Sequence, residues 1–269
     1  MKATLSGPGA REALAAGGEG TVLAWFPRAC YASLPGGLVA LVGPTVPPGP
    51  IHLALDRPLP PIETGSPVRV SGGRVAVGDL AIDVLTASAW SGPLPPPRAV
   101  LATTGPAARA ALDVAAGSAL ASGPFRDRAL RARRALGAGK LEESADILAG
   151  LGPGLTPSGD DALAGILFAI RAAAGGTIEP RTTLVAGSAR TGPIPRTFLA
   201  WAGRGQALQP AHDLLLAVAA EDGEETARAA RALGAVGETS GADFLLGLAW
   251  GLEAAQRIAG RNVESSTSR

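Results

Sequence analysis

The chain has 269 residues, of which 46% are hydrophobic and 17% are charged, and its formal net charge is +1. This length allows one large domain or two small ones, and the charge gives no electrostatic argument for a nucleic acid or membrane partner. The single cysteine, Cys30, excludes an internal disulfide framework and favours a reducing compartment. Neither a secretory signal nor a membrane-spanning apolar run is recognisable, so we expect a cytoplasmic protein that binds no membrane.

Short β-type runs separated by turn signals dominate the first part of the chain. A short helix around residues 10–16 precedes them. No long helical window lies between these runs, which predicts a small antiparallel β-barrel or sandwich. The runs cover 21–26, 30–34, 38–42, 51–55, 68–70, 74–77 and 80–85.

The proline-rich segment WSGPLPPP, residues 90–97, suits neither a central strand nor a helix and marks a predicted domain boundary. We therefore predict an α+β protein with a β-rich domain at 1–97, an all-α domain at 98–262 and a disordered tail at 263–269. Helical patterns joined by short, glycine-marked connections fill the second domain. They cover 107–121, 126–136, 141–149, 161–173, 182–189, 196–202, 210–220, 224–233 and 241–259.

The most distinctive stretch is GLGPGLTPSGDDALAG, residues 150–165, which we call the first motif. Its glycines, hydroxyls and carboxylates precede an apolar helical pattern, so they lie where free N–H groups and the positive end of a helix dipole favour anions. An ordinary capped helix has the same local pattern. The polar and glycine positions that we consider are Gly152, Gly154, Thr156, Ser158, Gly159, Asp160 and Asp161.

A similar element, GETSGADFLLG at residues 237–247, forms the second motif and shares the pattern S-G-x-D-x-L-x-G with the first. Its polar and glycine positions include Thr239, Ser240, Gly241 and Asp243. Capping does not require the last glycine of the pattern, which costs roughly 1 kcal/mol inside a helix unless something packs closely on it. We therefore predict that the two helices touch through Gly165 and Gly247 and bring both polar N-termini to one cleft.

The residue types restrict the chemistry. Only His52 and His212 are present, and neither adjoins a motif, so histidine-centred catalysis and zinc binding are disfavoured. Asp160, Asp161 and Asp243 are hard oxygen ligands that could hold Mg²⁺ together with hydroxyls, which leaves metal binding open. The arginines between 126 and 134 are better explained by a solvated helix face.

Arg196 follows a loop with two prolines and could clamp a phosphate or carboxylate.

At residues 150–165 the sequence resembles a bacterial family of uncharacterised proteins whose better-understood members are the AllH-type subunits of oxamate carbamoyltransferase. The second motif is similar to that family's second element, with Glu238 where the family often has histidine. The resemblance implies partner subunits and the conversion of carbamoyl-oxamate and phosphate into oxamate and carbamoyl phosphate, within purine and allantoin nitrogen metabolism.

The leading hypothesis is an AllH-like subunit that binds a small anionic substrate or phosphate between the two motif loops. Ser158 and Ser240 would hydrogen-bond the anion, Asp160 and Asp161 would orient the loop or bind metal, and Arg196 would clamp a carboxylate. The motif glycines would offer backbone N–H groups to phosphate. Two alternatives stay open: an all-α, Mg²⁺-dependent hydrolase and a non-catalytic assembly subunit whose motifs only pack helices.

Overall fold

The structure is a computed structural model that describes the backbone of residues 1–267 and the side chains of residues 1–255. The chain divides into two compact units, Met1–Gly92 and Pro93–Arg269, and the division lies inside the proline-rich segment 90–97. The first unit is a sheet with one helix, and the described part of the second is helical. The predicted α+β class is confirmed.

A single nine-stranded sheet forms the first unit, and it curls into half a barrel. Each predicted run corresponds to a strand, whereas β1 and β9 were not predicted because runs of four and two residues carry no readable alternation. The strands are β1 (Ala3–Ser6), β2 (Gly18–Phe26), β3 (Ala29–Leu34), β4 (Gly37–Val42), β5 (His52–Leu55), β6 (Pro67–Ser71), β7 (Arg74–Val77), β8 (Leu80–Asp83) and β9 (Ser88–Ala89).

The sheet is mostly antiparallel, as predicted, but it is mixed, because two of its strand pairs are parallel. Its order is β8-β7-β6-β2-β3-β4-β5-β1-β9, and the pairs β4–β5 and β1–β9 are parallel. Segment 43–51 connects β4 to its parallel neighbour β5, a connection that turn signals alone do not distinguish from a hairpin. Helix α1 (Pro8–Ala16) buries Ala10 and Ala13 in the core of this unit, beside Cys30 and Leu41.

The second unit contains ten helices in the part that the structure describes, and each predicted helix is among them. Helix α2 was not predicted because it starts within the proline run. The helices are α2 (Pro97–Ala102), α3 (Thr104–Val114), α4 (Arg126–Gly137), α5 (Leu141–Leu148), α6 (Ser158–Ala174), α7 (Glu179–Ser188), α8 (Pro193–Gly203), α9 (Gln209–Ala219), α10 (Gly223–Gly234) and α11 (Ser240–Thr267).

Helix α6 lies at the centre of the helical core and is buried on nearly all sides. The stretch Ser158–Ser188 passes a length and composition test for a membrane span, but 67% of its apolar window is buried inside the protein, as in the core helix of a soluble protein. The predicted disordered tail, 263–269, overlaps the end of α11, which is helical to Thr267. Ser268 and Arg269 lie outside the described residues.

Candidate functional site

Helices α6 and α11 touch backbone to backbone at the last glycine of each motif. A Cβ atom placed on Gly165 would lie 2.1 Å from the carbonyl oxygen of Phe244, and one on Gly247 would lie 1.9 Å from that of Ala162. Neither distance accommodates a side chain. The predicted contact through Gly165 and Gly247 is therefore confirmed.

The two helices also begin alike, α6 at Ser158 and α11 at Ser240. The glycine after each serine packs against a carbonyl of the preceding helix, since a Cβ on Gly159 would lie 2.1 Å from Leu148 O and one on Gly241 would lie 1.9 Å from Leu233 O.

The N–H groups of both glycines are used inside the protein. Gly159 donates to Leu151 O (2.7 Å) and Gly241 donates to Val236 O (2.9 Å). The Gly159 N–H, which we expected to face a ligand, is therefore already used by Leu151 O.

The two motif loops meet through their hydroxyls. Thr156 Oγ1 and Ser240 Oγ are 3.4 Å apart, and both residues are partly exposed. Thr239 lies next to this contact and its carbonyl accepts a hydrogen bond from the N–H of Asp243 (2.8 Å). Ser158 is only 6% exposed, so its side chain lies below the surface on which Thr156 and Ser240 are found.

Asp160 is buried and both of its carboxylate oxygens accept hydrogen bonds. The Gly150 N–H donates to Oδ1 (3.0 Å) and the Thr191 hydroxyl donates to Oδ2 (2.5 Å). Burial raises the pKa of Asp160, while these two hydrogen bonds act in the opposite direction. The residue joins the start of α6 to the first motif loop and to the loop before α8, a contact that supports the predicted loop-orienting role.

Asp161 and Asp243 occupy equivalent positions of the two motifs, and each has a buried Oδ2 atom that accepts no hydrogen bond from the described residues. Asp243 is fully buried, and its Oδ1 accepts a hydrogen bond from the Ser118 hydroxyl (2.5 Å). Burial raises the pKa of Asp161 well above its ordinary value, the negative charges of Asp243 and Asp160 add to this, and a hydrogen bond from Ser240 opposes it.

Ser118 was missed by the sequence reasoning. It lies 125 residues before its partner Asp243, in a small-residue segment with no motif, and nothing in the local sequence distinguishes it.

The first motif loop also offers backbone donors. Gly152 and Gly154 have φ values of 121° and 91°, which favour glycine, and their N–H groups donate to no other described residue. Arg196 is exposed at the start of α8 and donates from Nη2 to the Thr191 carbonyl (3.0 Å). The Thr191 hydroxyl donates to Asp160, so Thr191 connects Arg196 to the first motif through two hydrogen bonds.

The two histidines and the cysteine are buried. His212 Nε2 accepts from the Ala207 N–H (3.1 Å), so Nδ1 carries the proton and donates to Pro93 O (3.0 Å). Burial lowers the pKa of His212, and separately that of His52, to about 4. Cys30 is fully buried, and burial raises the pKa of its thiol to about 11.

Two further observations concern metal binding and the position of a cavity. Within residues 1–255, no group of three or more His, Cys, Asp or Glu side chains is arranged to hold a metal ion. A cavity of about 380 Å³ lies between α4 and α11, lined by residues that include Arg133, Arg134 and Trp250, and it contains no residue of either motif.

The paired helix starts bring hydroxyls and carboxylates of both motifs to one end of α6 and α11. Residues 148–252 match the family model described as oxamate carbamoyltransferase subunit AllH, and this segment contains both motifs. The match confirms the resemblance that the sequence motifs indicated, over the segment that contains both of them. No curated protein matches the chain, and no solved structure does.

Proposed function

We propose that this chain is an AllH-like subunit that binds a small anion at the surface where the two motif loops meet, and that it takes part in carbamoyl transfer. The observation that carries the proposal is the contact between Thr156 Oγ1 and Ser240 Oγ, 3.4 Å apart, beside the uncommitted N–H groups of Gly152 and Gly154. Hydroxyls and loop amides together form the donor set that phosphate or a carboxylate needs.

Electrostatics favours an anion here although three aspartates lie nearby. Both α6 and α11 direct the positive ends of their dipoles to this surface, and Arg196 is exposed and donates to the carbonyl of Thr191, whose hydroxyl donates to Asp160. The two hydrogen bonds to Asp160 compensate its charge, and the raised pKa of Asp161 favours its uncharged form. The carboxylates below the surface therefore repel an incoming anion less than their number suggests.

The donors match what phosphorolysis of a carbamoyl group requires, namely a seat for phosphate and hydrogen bonds to a developing oxyanion. We assign Thr156, Ser240 and the amides of Gly152 and Gly154 to these tasks, and Arg196 to the carboxylate of an oxamate-like substrate. Ser158 is buried at the first residue of α6, so we do not assign it to the anion.

The test is calorimetric titration of the chain with phosphate, oxamate and carbamoyl phosphate. Thr156→Val, Ser240→Ala and Arg196→Gln should each weaken binding about 10- to 100-fold, because a hydrogen bond to a charged group contributes about 1.5–3 kcal/mol. Arg190→Gln and Thr197→Val are the controls and should leave binding unchanged. Equal affinity in all five variants would contradict the proposed site.

The assembly-subunit alternative is favoured by one observation. Leu155 is 51% exposed and lies in the first motif loop, between Gly154 and Thr156. The AllH match suggests partner subunits. A partner that covers Leu155 would also exclude water from the anion surface, so Leu155→Ser should reduce co-purification with partner subunits while the chain itself stays folded.

A further inference from the structure

Trp250 of α11 lines the cavity between α4 and α11 and is only 4% exposed. Its indole Nε1 atom is buried and donates to no residue that the structure describes. By contrast, Nε1 of Trp25 donates to the carbonyl oxygen of Pro60 (2.9 Å). Because a buried donor without an acceptor is costly, such a group usually has a partner, and a molecule bound in the cavity would supply one to Trp250.

The cavity has room and apolar surface for the body of a small organic molecule. Its volume of about 380 Å³ lies within the usual range of small-molecule sites. Leu130 and Ala254 line it, and the indole ring of Trp250 adds a flat aromatic surface. The Arg133 guanidinium lies 6.0 Å from the centre of that ring, at the outer limit of a cation–π contact. These walls favour a ligand with an apolar part over an inorganic ion.

The charged residues of the described wall favour an anion. They are Arg133, Arg134 and Glu253, two positive charges against one negative. Arg133 forms an ion pair with Glu253 (3.0 Å), which offsets the negative charge of that carboxylate. Arg134 forms no ion pair with a described residue. Helix α4 ends at Gly137 on the same wall, and the roughly half negative charge of its dipole there is smaller than the charge of Arg134.

We propose that this cavity is a second binding site, and that its ligand is a small organic carboxylate with an apolar body. The carboxylate accepts hydrogen bonds from Trp250 Nε1 and from the Arg134 guanidinium, since its two oxygens can serve two donors. The body packs against Leu130, Ala254 and the indole ring. No residue of either motif lines the cavity, so binding here does not depend on the proposed function.

Nitrogen–proton NMR of the full chain tests this binding, because each of the four tryptophans has one indole N–H group. Benzoate is the probe, titrated to about 10 mM, roughly ten times the Kd of a weak site. We expect the Trp250 signal to move downfield as its N–H gains an acceptor. The Trp25 signal should stay in place, because that N–H already donates to Pro60. A Trp250 signal that benzoate does not move would overturn the proposal.

Trp250→Phe assigns the signal by removing it. Should that variant fail to fold, phenylalanine at each of the other three tryptophans assigns the Trp250 signal by elimination.

Two further compounds test the chemical class of the ligand. Benzamide has the ring of benzoate but no charge, so it should bind about 10-fold more weakly or less tightly still. Inorganic phosphate has charge but no apolar body, and it should leave the Trp250 signal in place. Shifts as large as those with benzoate, from either compound at the same concentration, would contradict an organic carboxylate.

Variants of α4 test the second donor. Arg134→Gln should raise the Kd for benzoate about 5- to 20-fold, because one charged partner of the carboxylate is lost. Arg131→Gln is the matched control, since Arg131 is also exposed on α4 but does not line the cavity. Equal Kd values for both variants and the unsubstituted chain would contradict the assigned role of Arg134.

Thr156→Val separates this site from the anion surface at the motifs. It should leave the benzoate shift of Trp250 unchanged, whatever it does to phosphate binding. A lost shift in that variant would show that the two sites are not separate.

Discussion

At the scale of single residues, neighbours in the sequence have different environments. Asp160 and Asp161 are adjacent at the start of α6, yet both oxygens of Asp160 accept hydrogen bonds while Asp161 keeps one oxygen without a donor. Successive residues of a helix project about 100° apart, so one faces the loops and the other faces α11. The two adjacent aspartates therefore have different surroundings, Asp160 among the loops and Asp161 beside α11.

Replacement of Asp160 by asparagine should loosen both loops that this residue holds. The carboxylate charge is lost and the Thr191 hydroxyl must turn to accept from the new NH₂ group, so two charge-assisted hydrogen bonds become neutral ones, and we expect a loss of about 1–3 kcal/mol in the free energy of unfolding. Denaturant unfolding at pH 7 measures this loss, with Asp146→Asn, an exposed aspartate of α5, as the control. An Asp160→Asn protein as stable as the control would show that these hydrogen bonds contribute little.

At the scale of elements, the sequence predicted where the motif glycines pack, but it did not predict what their backbone N–H groups bind. The repeated spacing predicted that α6 and α11 touch at Gly165 and Gly247, because a helix tolerates such glycines only for close packing. The use of the Gly159 N–H by Leu151 was unpredictable, since it depends on how the loop returns to its own helix. The Ser118–Asp243 contact and the parallel pairing of β4 with β5 were likewise not predictable, because they depend on tertiary structure and have no local sequence signal.

Alanine at Gly165 or Gly247 should separate the two central helices. The added methyl group would meet backbone atoms that no side-chain rotation can move, and we expect each variant to lose about 1–3 kcal/mol or more of stability. Gly187→Ala in α7 is the matched control. A Cβ there meets nothing within 4 Å, and the variant should gain about 0.5–1 kcal/mol from helix propensity. Urea unfolding midpoints of the three variants decide the matter, and equal midpoints would be inconsistent with backbone contact.

At the scale of the whole molecule, each unit contains one buried, neutral histidine. His52 lies in the sheet unit and His212 in the helical unit, and burial lowers the pKa of each from 6.5 to about 4. A group with a lowered folded-state pKa stabilises the protein above its unfolded pKa, and that stabilisation is lost as the pH falls from 6.5 towards 4. Each shift corresponds to about 3 kcal/mol at most.

Asp161 acts in the opposite direction in the same pH window, but only in the helical unit. Its raised pKa gives stability that is complete below about pH 4 and is lost as the pH rises, so it offsets part of the gain from His212. We therefore expect the sheet unit to gain more stability than the helical unit between pH 4 and 6.5.

Denaturant-dependent hydrogen exchange of the full chain, read by mass spectrometry from peptides of each unit, measures both gains. His52→Gln should flatten the dependence in the sheet unit alone, and Asp161→Asn should steepen it in the helical unit alone. Identical pH profiles in the two units would contradict this, because only one of them contains a buried carboxyl group that opposes its histidine.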